Sequence, residues 1–163
     1  MNDFLDRVRA AMENYFGSDA RRIEHALQVA AYAGELLDYI DADPTLTLTA
    51  AYLHDIGISE AERKHGSCAG SWQEKEGPPV ARRMLEDLQA PPELIEGVCS
   101  LVGTHHTPAA IDSPEFRILW DADALVNLAE VMPVKSPEER RAILEKAFVT
   151  EPGFRRALKI FLD

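Results

Sequence analysis

Almost every stretch of this chain repeats its apolar residues at the spacing of an α-helix, and almost every such stretch is stopped by glycine or opened by proline. Phe4, Leu5, Val8, Met12 and Tyr15 keep a helical rhythm that stops at Gly17, and Ile23, Leu27, Ala30 and Leu37 resume it after Ser18 and Asp19, either of which can cap. A third helix is expected from about Thr47 to Ile56, with Gly57 ending it in a left-handed conformation. PPVARRMLEDL, PPELIEGVCSLVGTHH, SPEFRILWDADALVNLAEV, SPEERRAILEKAF and EPGFRRALKIFL follow. The first four of these open with proline in the turn that tolerates its missing N–H. Alternating strand patterns are absent, which argues against a β-sheet core. The expected fold is all-α, a single domain over residues 1–163 with its last helices at 137–163. Between Gly57 and Pro78 lies SEAERKHGSCAGSWQEKEG, whose weak periodicity and length mark it as a mobile functional lid.

Composition narrows the function. Apolar residues at 46% and charged residues at 28% are the balance of a soluble globular protein. No apolar run approaches the roughly 20 residues needed to cross a bilayer, and MNDFLDRVRAAMENYF lacks a signal peptide's apolar centre. With only Cys68 and Cys99, no disulfide framework is expected, and a cytoplasmic protein is. A net charge of −11 opposes a nucleic-acid polymer or an acidic membrane as partner. A small phosphorylated substrate stays compatible, since one metal ion reverses the potential locally.

The informative residues are polar groups inside apolar helices. In TLTLTAAYLHDIGIS, His54 and Asp55 stand side by side where an unpartnered charge is costly. His25 has Val29, Tyr32 and Leu36 at helical spacing, which points it inward as a core histidine or a ligand. In ILWDADALVNL, Asp121 reads as a solvated face or a cap, whereas Asp123 sits between Ala122 and Ala124, small residues that let helices approach. Taken together, His25, His54, Asp55 and Asp123 suit a divalent first-row ion such as Mn, Fe, Co, Ni or Zn, because two carboxylates balance the charge and the donors are nitrogen and oxygen. Joint ligation accounts for four buried polar groups at once.

RIEHALQVA, LHDIG and DADALVNL, in that order, resemble the three motif contexts of the HD superfamily of metal-dependent phosphohydrolases, over about residues 18 to 130. The resemblance implies a helical bundle with the metal site at its centre, ligated by His25, His54, Asp55 and Asp123. It also implies a metal-activated water that attacks a small phosphorylated molecule such as a nucleotide. ADALVNL is similar to a segment of the guanosine polyphosphate hydrolases, which places the ligand on Asp123 rather than Asp121 and makes Asn127 a substrate-binding candidate. Many members carry lysine directly after HDIG; here Ile58 removes that phosphate contact. His105 and His106 are followed by TPAAID, not the GYP motif of cyclic di-GMP phosphodiesterases.

In related branches the region of His105 and His106 serves a second metal or the substrate phosphate, so the resemblance allows one ion or two and makes both histidines candidates for catalysis. Glu76 falls where other branches place a further histidine, as a second ligand, a general base or a solvated carboxylate. Arg22, three residues before His25, is a candidate phosphate clamp, with Lys64 and Lys75 as alternatives. His65 is expected to be a solvated loop histidine, and its spacing to Cys68 is too weak a signal for zinc. Two other functions fit the same superfamily: a di-iron oxygenase and a metal-dependent sensor without catalysis. Oligomeric state is not encoded in any of these features.

Overall fold

The computed structural model describes residues 3–163, so the first two residues of the amino-terminal amphipathic segment lie outside the described residues. Among the described residues the chain is all-α: α1 (Asp3–Phe16), α2 (Ala20–Leu37), α3 (Pro44–Leu53), α4 (Ile58–His65), α5 (Gly70–Asp87), α6 (Pro92–Val102), α7 (Pro114–Leu128), α8 (Pro137–Ala147) and α9 (Glu151–Phe161), with a 3₁₀ turn at Met132–Val134 before α8. Their starts follow from local chemistry. Asp19 caps α2 by accepting the Arg22 N–H, Asp43 caps α3 through Leu46, and Ser136 with Glu139 forms a reciprocal box at α8. Proline occupies the first turn of α3, α6, α7, α8 and α9.

The helices close on apolar clusters that frame the later chemistry. Val8 and Met12 of α1, Leu53 of α3, Val80 and Leu85 of α5 and Val98 and Val102 of α6 make one core. Val29 and Ala33 of α2, Ala50 and Ala51 of α3 and Ile118, Leu119 and Ala122 of α7 make a second. α3 contributes to both, so its carboxyl end is held on two sides. A third cluster joins Leu125 of α7 to Leu144 of α8 and Ala157 and Phe161 of α9.

Three expectations are corrected. The segment expected as a lid is α4 and the first two turns of α5, separated by a short turn that begins at Gly66 in the left-handed region (φ 67°). Its helical rhythm was hidden because the inward residues of early α5 are Gln73, Glu76 and Gly77, polar or absent side chains that carry no hydrophobic signal. Pro78 and Pro79 therefore lie inside α5 rather than at its start, at a local cost of about 3 kcal/mol per interior proline. Packing of Val80, Ala81 and Leu85 into the first core offsets that cost. Finally, α3 ends at Leu53, and Gly57 is right-handed (φ −82°) at the start of α4. Glycine is required there for room: a Cβ would meet the Gly77 nitrogen at 2.5 Å and the Gln73 carbonyl at 2.9 Å.

Candidate metal centre

Helix α2, the turn after α3, and α7 bring four polar side chains to one point. His54 is the first residue beyond α3 and keeps helical backbone angles, so its Nδ1–H reaches the Ala51 carbonyl at 2.7 Å. That bond leaves Nε2 pointing inward, 3.2 Å from His25 Nε2, 3.4 Å from Asp55 Oδ2 and 3.3 Å from Asp123 Oδ1. His25 Nε2 in turn lies 3.0 Å from Asp123 Oδ1 and 3.3 Å from Asp55 Oδ2. The His54 side chain is fully buried, and those of His25, Asp55 and Asp123 are mostly so.

The charges are strongly coupled. Burial pushes the His54 imidazole down, but the Asp55 and Asp123 carboxylates prevail and raise it to about 9. Burial pushes Asp55 up, yet His54 above all draws it down to about 2. Asp123 is likewise held well below the usual carboxylate range, because bonds to His25 and His54 outweigh its burial. Without an ion, a proton on His54 thus bridges two carboxylates.

His105 supplies the test of whether a cation fits. Its Nδ1–H bonds the Val102 carbonyl at 2.7 Å, so in the neutral ring Nε2 is a bare lone pair. That nitrogen is buried without a hydrogen-bond partner, 3.3 Å from Asp55 Oδ1. A neutral imidazole and a carboxylate facing each other in a buried space are matched by a shared proton or metal cation, and imidazoles whose outer nitrogen is tied to a backbone carbonyl are oriented for that role. His25, His54 and Asp55 form one group with donor atoms within 4.8 Å of one another; Asp55, His105 and His106 form another. Asp55 belongs to both. Burial, with His105 beside it, pushes His106 below the ordinary imidazole range and keeps it neutral.

Asp121 is corrected from solvated residue to buried anchor. Two positions along a helix rotate a side chain by about 200°, so Asp121 and Asp123 leave α7 on opposite faces. Asp121 accepts the Val149 and Thr150 N–H groups, each at 2.9 Å, and the Thr150 hydroxyl, which ties α7 to the start of α9.

Other expected residues are placed as follows. Glu76 is buried and paired with Lys64 and His65, each at 2.9 Å, so it is not a solvated carboxylate. His65 ends α4 and stacks on Trp72 at 3.7 Å, so it is not a solvated loop histidine. Arg22 faces Asp19 and Glu62, and Lys75 is exposed over the Trp72 ring. Asn127, one turn beyond Asp123, lines a cavity of about 730 Å³ that also exposes His105, His106 and Asp123. The cations on that cavity are Arg117 and Lys146, with Trp120 between Arg117 and Asp123 on the same helix. Sequence reasoning missed them, although Arg117, Trp120, Ala124 and Asn127 share one face of α7 at helical spacing.

The family model described as HD domain matches residues 22–128. The chain belongs to the HD domain family. A solved structure of a predicted HD superfamily hydrolase from an uncultured Thermotogales bacterium matches this HD domain with a TM-score of 0.63 and 24% identity, covering 98% of this chain and 83% of that one. Ribonuclease Y of Clostridium kluyveri is 28% identical over 123 residues, 76% of this chain, and the chain spans 20% of that protein's length. HD domains bind divalent metals, and this one carries the His and Asp groups that can hold an ion. The matched segment contains His25, His54, Asp55, His105, His106 and Asp123; Lys146, which also lines the cavity, lies beyond it. Among the described residues no helix is long and apolar enough to cross a membrane.

Proposed function

We propose that this HD domain is a divalent-metal-dependent phosphohydrolase acting on a small phosphorylated molecule of nucleotide size. The observation that carries the proposal is the convergence of His25 Nε2, His54 Nε2, Asp55 Oδ2 and Asp123 Oδ1 beside a cavity of about 730 Å³, within the range of small-molecule sites. These four residues would hold an ion of the Mn, Fe, Co, Ni or Zn type, and Asp55 with His105 and His106 would hold a second. When bound, such an ion supplies positive charge that activates water and polarises a phosphoryl oxygen.

The protein's own groups do the rest. The Ala51 and Val102 carbonyls fix the rings of His54 and His105. Asn127 offers a hydrogen bond from the cavity wall and Lys146 attracts an anionic ligand, while Arg117 is held by Asp112 of the same wall at 2.8 Å. The relative named for RNA cleavage makes a short oligonucleotide the second substrate to try, against the repulsion expected from a charge of −11.

The test is metal analysis of protein purified without chelator, joined to a panel of phosphomonoesters, nucleotides and a short RNA. Phosphate release from a small member of the panel, abolished by chelation and restored by Mn, Co or Ni better than by Ca, is expected. Tight metal binding with no cleavage would make the domain a sensor. Oxygen consumption without phosphate release would make it a di-iron oxygenase.

A further inference from the structure

The four-residue cluster presents its histidines through Nε2, but the Nε2 of His106 is engaged by a side chain of α5. That nitrogen lies 2.9 Å from Gln73 Oε1. The assignment of that amide is fixed by chemistry, because the other end of Gln73 lies 2.7 Å from the Cys68 carbonyl, which can only accept. Gln73 must therefore turn its NH₂ to Cys68 and its oxygen to His106, and His106 must carry its proton on Nε2. In a neutral imidazole that leaves Nδ1 bare.

The surroundings of the ring enforce the same pose. The His106 backbone N–H donates to Glu74 Oε2 at 2.9 Å, and the neighbouring Thr107 hydroxyl donates to the same oxygen at 2.8 Å. Gly70, at the start of α5, leaves the space the ring occupies: a Cβ there would meet His106 Cγ at 2.9 Å. Gln73 itself is buried, so water does not readily take its place as the acceptor.

We infer that Gln73 is a positioning residue that locks His106 in the Nε2–H tautomer and thereby makes Nδ1 the one ring nitrogen able to donate a lone pair to the Asp55–His105–His106 group. The use of that lone pair, for an ion or for a proton of the substrate, rests on the phosphohydrolase proposal; the tautomer itself does not. His106 is thus the histidine of the cavity whose outer nitrogen is steered by a side chain rather than by a backbone carbonyl, and it responds to substitution at one position of α5.

Nitrogen-15 NMR of the His106 ring at about pH 8, in chelated protein and again with one equivalent of Zn²⁺, tests the inference. The expected result in both states is a single Nε2–H tautomer. Its ring N–H should exchange with water about tenfold more slowly than in Gln73→Met, the equivalent of one hydrogen bond. Gln73→Met, which removes the acceptor, should release the ring to a mixture of tautomers. A wild-type proton on Nδ1, or a Gln73→Met spectrum and exchange rate equal to wild type, would overturn the lock. Absence of phosphate release from a protein that shows the locked tautomer would remove the hydrolase reading and leave the lock standing.

Discussion

His25 Nε2 and His54 Nε2 lie 3.2 Å apart, and the Nδ1–H of His54 is already committed to Ala51. Only a proton or a cation reconciles two imidazole nitrogens with the carboxylates of Asp55 and Asp123 in so small a space. An ion entering at neutral pH must displace the proton that His54, raised to about 9, holds there. Calorimetric titration with Zn²⁺ at pH 7 in buffers of different ionisation enthalpy should register proton release of about one per chain, and affinity should rise as the pH approaches 9. Buffer-independent heats would contradict this.

The chelated protein should show the opposite pH response in its stability. His54 is raised from 6.5 to about 9, so its contribution is complete below pH 6.5 and is lost as the pH climbs through about 9. Asp55 is lowered from 3.8 to about 2, so its contribution is complete above pH 3.8 and is lost as the pH falls through about 2. Urea unfolding in EDTA should be most resistant between those limits, with a loss on the order of 3 kcal/mol from pH 6 to 10. A flat alkaline limb would disprove the bridging proton.

Ligand removal should act on stability through mass action. Saturating Mn²⁺ or Zn²⁺ at a hundred times its dissociation constant should add about 2.7 kcal/mol to unfolding, and Asp55→Ala, His54→Ala or Asp123→Ala should abolish that increment. Thermal melts with and without ion check it. His65→Ala should keep the metal-induced increment, because His65 bonds Glu76 and stacks on Trp72.

Two glycines should respond in opposite directions. Gly57→Ala forces a methyl against the backbone of Gly77 and Gln73 and should cost about 1–3 kcal/mol, with lowered metal affinity because Asp55 is two residues away. Gly34, inside α2, has nothing within 4 Å of a built Cβ, so Gly34→Ala should gain about 0.5–1 kcal/mol. Chemical denaturation of the pair decides.

Asp121→Ala should destabilise by about 2–4 kcal/mol, since it strands two N–H groups and a hydroxyl that converge on a buried carboxylate. Asp121→Asn, which keeps one acceptor oxygen, should lose less. Equal unfolding midpoints for Asp121→Ala and wild type would refute the anchor.

What could be read ahead of the structure was whatever announced itself locally. His54 and Asp55 were conspicuous because charge among apolar residues demands partners, and the first turns of α6, α7 and α8 were marked by their prolines. Early α5 was illegible because the residues it buries, Gln73, Glu76 and Gly77, look like those of an exposed loop. Arg22 has the right spacing to flank His25, but Glu62, from the stretch expected to be a lid, competes for its guanidinium. Asp121 was misjudged because its partners are mainly backbone N–H groups 28 and 29 residues later, which leave no trace in side-chain pattern. Asp123 could be chosen over it by motif context.

The tie from Asp121 to Val149 and Thr150 sets an order of assembly on the ribosome. His25, His54 and Asp55 emerge early, and Asp123 follows with α7, yet two residues before Asp123 that helix carries a carboxylate whose donors are not made until residue 150. At about 5–20 residues per second the delay is on the order of seconds. A nascent chain with α7 outside the tunnel but α9 still inside has every cluster residue and no buried partner for Asp121, so docking of α7 onto α2 is expected to be weaker until Val149 and Thr150 emerge. Closure of the cluster around Asp123 is therefore expected to tighten only once synthesis has passed residue 150.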